Sequence, residues 1–431
     1  MTDTIFAPAT GSGRAGICVI RLSGPDVRSV LDALAGGPPP PRRLSLRPLR
    51  HPETGQILDR ALVAWFPAPN SYTGEDGAEL HIHGGLAVRA AVLRALADLP
   101  RCRPAEPGEF TRRAFLNGRL DLSAVEGLAD LIDAETEAQR RQAQRQLDGA
   151  LGSEVERWRE RLIEALALLE ASLDFSDEGD LPTGLEAQAL AIVQDLSAAL
   201  ARALDDNHRG ERLRDGFVVV IAGPPNAGKS TLLNALARRE VAIVSEIPGT
   251  TRDAIEVRCD LHGLPVTFVD TAGLRETDDP IEREGVARAR ARADAADLVL
   301  RLVPPDGDCA DGPGLRVGTK TDLPYPHCAG LDLAVSAQTG QGLDALLARV
   351  KVEAEAALGA GDAVITRERH RRALERARDA LLRAGPILKR GEAELGTEDV
   401  RLALRALGEI TGRVDVEQVL DRLFGSFCIG K

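Results

Sequence analysis

Apolar and polar positions change rhythm along the chain, and each change marks a new kind of element. In residues 1–118 the apolar runs are short. Gly16–Leu22, Ile57–Phe66 and Glu79–His83 predict strands, Val88–Leu99 predicts a helix, and Pro38–Pro41 a loop. That mixture predicts an α+β domain. From Leu120 apolar residues recur every three or four positions. Leu120–Leu147, Val155–Leu173 and Leu185–Leu204 therefore read as helices, each free of proline. The apolar run Phe217–Ala222 then reads as a buried strand, and Thr231–Leu236 as the helix after it. Further strands are expected at Val241–Val244, Val266–Val269 and Leu331–Val335. Helical spacing returns in Arg367–Ala384, Val400–Leu407 and Val416–Leu423. The expected fold is multidomain. It has an α+β N-terminal domain (1–118), an all-α helical domain in two pieces (119–212 and 362–431), and an α/β domain (213–361) inserted between them. Insertion is physically easy because the ends of a compact domain often lie close together.

Composition narrows the class. Of 431 residues, 44% are hydrophobic, so the chain can bury substantial cores; only 3% are aromatic, so aliphatic packing dominates. The formal net charge of −12 argues against a protein that coats nucleic acid, so any RNA contact needs a local patch or a partner's surface. The six cysteines show no metal-ligand spacing and read as reduced thiols. No apolar run reaches membrane-spanning length and no signal-peptide pattern opens the chain, so the expected location is cytoplasmic, with no membrane association.

The chemistry is concentrated in the inserted domain. Residues 223–230, Gly-Pro-Pro-Asn-Ala-Gly-Lys-Ser, form a phosphate-binding loop between a predicted strand and a predicted helix. Backbone N–H groups of Asn226, Ala227, Gly228 and the helix start would face the phosphates. Lys229 would reach the outer phosphates, and Ser230 would ligate Mg²⁺ with Thr231 beside it. Downstream, Ser245-Glu246-Ile247-Pro248-Gly249-Thr250-Thr251 follows the predicted strand Val241–Val244. A Thr here can supply a second Mg²⁺ ligand, though the same residues also suit an ordinary Pro-Gly turn. The strand Val266–Val269 runs into Asp270-Thr271-Ala272-Gly273, the acidic metal-side element of such hydrolases, whose glycine N–H can meet the γ-phosphate. Thr319-Lys320-Thr321-Asp322 reads the base. The Asp322 carboxylate can accept from guanine N1–H and its exocyclic amine, which adenine cannot match; Thr319 stands where the usual pattern has Asn. Ser336-Ala337-Gln338 matches the loop whose backbone touches the guanine carbonyl. Leu274 occupies the position where Ras-like proteins carry a water-orienting Gln, so another group must orient the water, and Glu276, Glu282 and Glu284 are nearby acids. Between Val303 and Arg316 no helical pattern is visible where a Ras-like domain normally places a helix.

These motifs and their flanks resemble the bacterial tRNA-modification GTPase family MnmE, also called TrmE. The resemblance covers almost the whole chain. It includes Gly16–Gly24 (GICVIRLSG), Asn70–Asp76 (NSYTGED), Glu79–Gly85 (ELHIHGG), Pro107–Asp121 (PGEFTRRAFLNGRLD), Leu131–Ala134 (LIDA), Asp270–Glu276 (DTAGLRE) and the terminal Phe427–Lys431 (FCIGK). The resemblance implies a Ras-like GTPase domain, a tetrahydrofolate-binding N-terminal domain that also dimerises, and a homodimer. It implies an FAD-bearing partner protein, MnmG, in a heterotetramer. The product it implies is an aminomethyl or carboxymethylaminomethyl group at C5 of the tRNA wobble uridine. It further implies K⁺ held by Asn226, Ser245, Ile247 and Thr250, Mg²⁺ held by Ser230 and Thr251, and Glu282 as the water-orienting residue, with Lys229 beside it in catalysis. A tetrahydrofolate derivative, in the 5-formyl or methylene form, would meet Arg21, Glu79, Arg119 and Lys431, with Cys428 close by. The competing expectation is a regulatory or assembly GTPase without modification chemistry.

Overall fold

The computed structural model describes residues 3–11, 13–174, 184–206, 208–243, 256–270, 296–305, 307, 312–323, 330–359, 363–414, 417–425, 427 and 430. They form two compact units, residues 1–129 with 408–431, and residues 130–407.

The first unit is built on a six-stranded sheet ordered β3-β4-β5-β2-β1-β6. Its strands are β1 (Thr4–Pro8), β2 (Ile17–Ser23), β3 (Ser45–Arg50), β4 (Ile57–Phe66), β5 (Gly77–His83) and β6 (Cys102–Pro104). All neighbours are antiparallel except β1 and β6, which run parallel. Strand alternation decides which residues do chemistry. Ala78, Leu80 and Ile82 of β5 are buried with Cys18, Ile20 and Leu22 of β2 in a core covered by α1 (Val27–Ala35) and α2 (Leu86–Ala97). The intervening Arg21, Glu79 and His81 must therefore point to the opposite face. Helix α3 (Glu109–Leu116) contributes Phe110, fully buried with Ile5 and Ala7. Leu122 and Val125, at the start of α4 (Leu122–Asp133), close a further cluster with Leu420, Leu423 and Phe424 of α13 (Glu417–Gly425) and with Phe427. Gly430 lies against the Pro8 carbonyl, where an added Cβ would sit 2.0 Å away; its φ of +101° is also one that favours glycine.

The predicted helix Leu120–Leu147 is two helices, α4, most of which lies in the first unit, and α5 (Glu137–Leu147), which lies in the second. The break has a local cause. Thr136 caps α5, and Gln139 reaches back to the Thr136 N–H, a reciprocal capping box. Helices α6 (Ala150–Asp174), α7 (Leu185–Leu204) and α11 (Glu368–Lys389) pack together, with α12 (Ala393–Thr411) following. From its alternating charges the stretch Arg367–Arg378 is expected to be a solvated helix face; the structure corrects this, since two of its polar residues are buried alongside Ala373, Leu374 and Ala377. His370 and Arg371 are buried, and Arg371 donates to Glu211 and to the Leu204 carbonyl.

Between these helices lies a second six-stranded sheet, ordered β12-β11-β10-β7-β9-β8. Its strands are β7 (Phe217–Ala222), β8 (Glu256–Leu261), β9 (Leu264–Asp270), β10 (Leu298–Val303), β11 (Leu315–Gly318) and β12 (Leu333–Ala334). Only β8 is antiparallel to its neighbour. The central β7 is apolar throughout because helices cover both faces of such sheets. Helices α8 (Arg209–Asp215), α9 (Lys229–Ala237) and α10 (Leu343–Leu358) belong to this layer. Of the expected strand at Val241–Val244, the described residues 241–243 hold an isolated bridge, Ala242 to Cys259, while Val244 lies outside the described residues; β12 is two residues long where Leu331–Val335 was expected. The chain leaves and rejoins the helical layer side by side. Gly210 approaches the Ile365 carbonyl so closely that a Cβ would lie 2.0 Å from it, and Gly359 lies against Arg209.

Candidate functional site

The phosphate loop emerges from the carboxyl end of β7 and feeds α9. Its two special conformations match its residues: Asn226 has φ +63° and Gly228 has φ +93°, a left-handed region that Gly and Asn tolerate. Gly223 is required for a different reason, since a Cβ there would lie 2.9 Å from the Leu302 carbonyl. The open N–H groups at the start of α9 favour an anion in front of them. Lys229 is largely buried, and its Nζ donates to the Gly223 and Pro224 carbonyls at 2.9 Å each. Its charge is thereby held at the loop. Ser230 Oγ donates to Asp270 Oδ2 at 2.6 Å, a short charge-assisted bond across to the end of β9. Asp270 itself is 2% exposed. These are hard oxygen donors at the loop's mouth, and they fit Mg²⁺.

The segment expected to read the base is tied to this loop. Thr319 is buried, and its Oγ1 donates to the Ala227 carbonyl at 2.8 Å. Its backbone N–H bonds the Val303 carbonyl. Lys320 has φ +57° and turns the chain so that Asp322 faces outward. Asp322 Oδ1 accepts from Ser336 Oγ at 2.6 Å, while Ser336 Oγ also accepts from the Thr339 N–H. Ser336 thus orients the carboxylate through its side chain, a role that motif matching did not reveal. Ala337 and Gln338 follow in the same turn, half-buried and exposed respectively. Asn226 and Thr231 are exposed at the loop.

In the first unit Arg21 and Glu79 are direct cross-strand partners on β2 and β5. Arg21 Nε and Nη2 both donate to Glu79 Oε1, at 3.3 and 3.2 Å. A strand-borne acid with an apolar neighbour on each side needs a partner, and Glu79 has two: His81 Nε2 lies 3.2 Å from its Oε2. Arg119 is exposed, its side-chain carbons beside Gly74; among the described residues no hydrogen bond joins it to Arg21 or Glu79. Behind this face lies a charged network that sequence reasoning missed. Arg113, 1% exposed, bonds Glu75, Glu109 and the Asp3 carbonyl, and Arg103 grips Glu109 from the other side. Burial alone would raise the Glu109 carboxyl, but hydrogen bonds from Arg103, the Glu106 N–H and Arg113 outweigh it and hold the group below its ordinary value. The expected roles of Ser245, Glu246, Ile247, Pro248, Gly249, Thr250, Thr251, Thr271, Ala272, Gly273, Leu274, Glu276, Glu282, Glu284, Cys428 and Lys431 fall on residues outside those described.

Phosphate, metal-side and base-reading elements stand along the carboxyl edge of one mainly parallel sheet, where such folds bind nucleotides, and together they define a P-loop GTPase. The model of the GTP-binding protein TrmE N-terminus matches residues 4–119, and that of the MnmE helical domain matches residues 122–428. Curated relatives named tRNA modification GTPase MnmE align over 100% of the chain. That of Methylobacterium sp. (strain 4-46) is 67% identical with 100% of its own length covered, that of Methylorubrum populi 64% with 98%, and that of Rhodospirillum rubrum 57% with 99%. The chain therefore belongs to the MnmE family of tRNA modification GTPases. Among the described residues no helix is long and apolar enough to cross a membrane.

Proposed function

We propose that the chain is a K⁺-activated GTPase that works with an FAD-bearing partner of the MnmG type to build the aminomethyl or carboxymethylaminomethyl group at C5 of the tRNA wobble uridine. The observation that carries the GTPase half is the Ser230–Asp270 contact at 2.6 Å beside the buried Lys229, which gathers the metal-side oxygens and the phosphate-reaching cation at one helix start. Mg²⁺, when bound at Ser230 and Thr251, neutralises charge developing on the phosphates. Lys229 and the α9 N-terminus bind the phosphate oxygens, and Asp322 selects guanine. Asn226 offers its carboxamide oxygen to K⁺, with Ser245, Ile247 and Thr250 as the other ligands, and Glu282 orients water in place of a Gln. The three-part division at 1–118, 119–212 with 362–431, and 213–361 accompanies this reading. So do a homodimer, a heterotetramer with the flavoprotein, a cytoplasmic location, and a tetrahydrofolate derivative held by Arg21, Glu79, Arg119 and Lys431. The Arg21–Glu79 pair beside Tyr72 and Phe110 suits a planar, polar-edged ligand.

Two measurements test it. GTP turnover should need K⁺ and should be lost in Glu282→Ala with GTP binding retained; equal turnover in Na⁺ defeats the cation assignment. Mass spectrometry of tRNA nucleosides from a deletion strain should show loss of the wobble modification, and an unchanged profile leaves only a regulatory GTPase.

A further inference from the structure

The Arg21 guanidinium is held more firmly than a half-exposed arginine on a strand needs to be. Its fork is bonded to one oxygen of Glu79. Its Cζ stands 5.5 Å from the centre of the Tyr72 ring and 5.9 Å from that of the fully buried Phe110. Cations over aromatic faces at these distances are attracted by the ring quadrupole. Tyr72 is anchored in turn, because its hydroxyl lies 2.9 Å from Thr111 Oγ1, on a residue with no exposed surface. The second oxygen of Glu79 is taken by His81 Nε2 at 3.2 Å. Together these contacts restrain the Arg21 side chain. Among the described residues Arg21 Nη1 meets no acceptor, so the one edge left over is the edge a ligand can use.

We infer that Tyr72 and His81 are positioning residues of the Arg21–Glu79 site: the Tyr72 ring and the His81 Nε2–H lock the pair in one geometry, so that the Arg21 edge is presented to a ligand acceptor without further ordering. The inference rests on the reading of this site as the tetrahydrofolate site. Preorganisation matters because a free arginine side chain loses much rotamer freedom on binding, and that loss is subtracted from affinity. Tyr72 acts through its ring, with the hydroxyl as a tether. His81 acts through one N–H, which a carboxamide can replace. Tyr72 is 40% exposed, but desolvation around its hydroxyl still raises the phenol above its ordinary value, against the opposing pull of the Thr111 bond and the Arg21 charge, and the hydroxyl keeps its proton.

The test is equilibrium dialysis of 5-formyltetrahydrofolate against the full-length chain. Tyr72→Leu keeps the bulk and removes the π-face, and it should weaken binding roughly tenfold, as should His81→Ala. Tyr72→Phe should stay within about threefold of the parent because the ring remains, and His81→Gln should restore most of the loss. GTP turnover should be unchanged in all four; the two Tyr72 variants lose the bond to buried Thr111 and should melt earlier, so binding is read well below every thermal midpoint, which separates a local effect from misfolding. If the parent chain does not bind the probe, the folate reading itself falls. If the parent binds and Tyr72→Leu and His81→Ala bind equally well, the positioning role falls. A loss in His81→Gln as large as in His81→Ala would overturn it too, since the imidazole would then be touching the ligand directly.

Discussion

Thr319 shows how one hydroxyl can stand in for a longer side chain. Asparagine at this position offers two hydrogen-bonding ends; threonine offers one O–H, and it is spent on the Ala227 carbonyl inside the phosphate loop. Thr319→Val keeps the shape, removes the donor and leaves that carbonyl buried without its partner, a defect of about 1–3 kcal/mol. Calorimetric titration with GDP should therefore show affinity weakened ~5- to 150-fold, while Thr319→Ser should hold close to the parent. Equal affinity in the valine variant would mean that the tie plays no part in nucleotide binding. The neighbouring Asp322 depends similarly on Ser336, which holds one of its oxygens at 2.6 Å.

At the scale of elements, the capping box before α5 is the local device with the clearest expected cost. Thr136→Ala removes the side-chain acceptor and should lower unfolding free energy by about 1 kcal/mol, read from a urea titration. An unchanged midpoint would show that tertiary contacts alone hold the helix start. The Thr136-x-x-Gln139 pattern was present in the sequence, yet the helical periodicity ran on through it and hid the break. The phosphate loop was legible because it is contiguous and its conformation follows from Gly and Asn at fixed offsets. The charged network at the start of α3 was not. Arg113 reaches the Asp3 carbonyl and Arg371 reaches Glu211, partners more than a hundred residues away that no window of periodicity can pair. Arg21 and Glu79 fell between: each was marked by motif, but their mutual bond waited on the register of β2 with β5. Glu109 also carries a pH signature. Its folded carboxyl titrates below the ordinary 4.5, so its stabilising share is complete above that value and is lost as pH falls through the folded one. Glu109→Gln should be less stable than the parent at pH 7, and the gap should narrow by pH 3. A gap independent of pH would rule out the ionised carboxylate as the source.

For the molecule as a whole, two buried thiols give each compact unit its own reporter. Burial pushes Cys102, with help from the Asp26 charge, and Cys259 up to about 12. Thiolate is the reactive form, so iodoacetamide at pH 8 should leave both unmodified until the unit that holds each opens. Peptide mapping along a urea series would then give two separate opening curves, one for residues 1–129 with 408–431 and one for residues 130–407. Rapid labelling of either thiol in the native protein would contradict its burial. The side-by-side crossing at Gly210 and Ile365 has a consequence of another kind. Apart from direct contacts such as the Ala138 N–H on the Gly263 carbonyl and the Arg258–Glu135 pair, the helical frame meets the intervening polypeptide as a closed loop, and closure entropy rises with the logarithm of length, about 0.6 kcal/mol for each doubling. The frame is thus almost blind to how long that polypeptide is. Trimming or extending it, as in the short stretch between Val303 and Arg316, can drift through evolution without the frame registering the change.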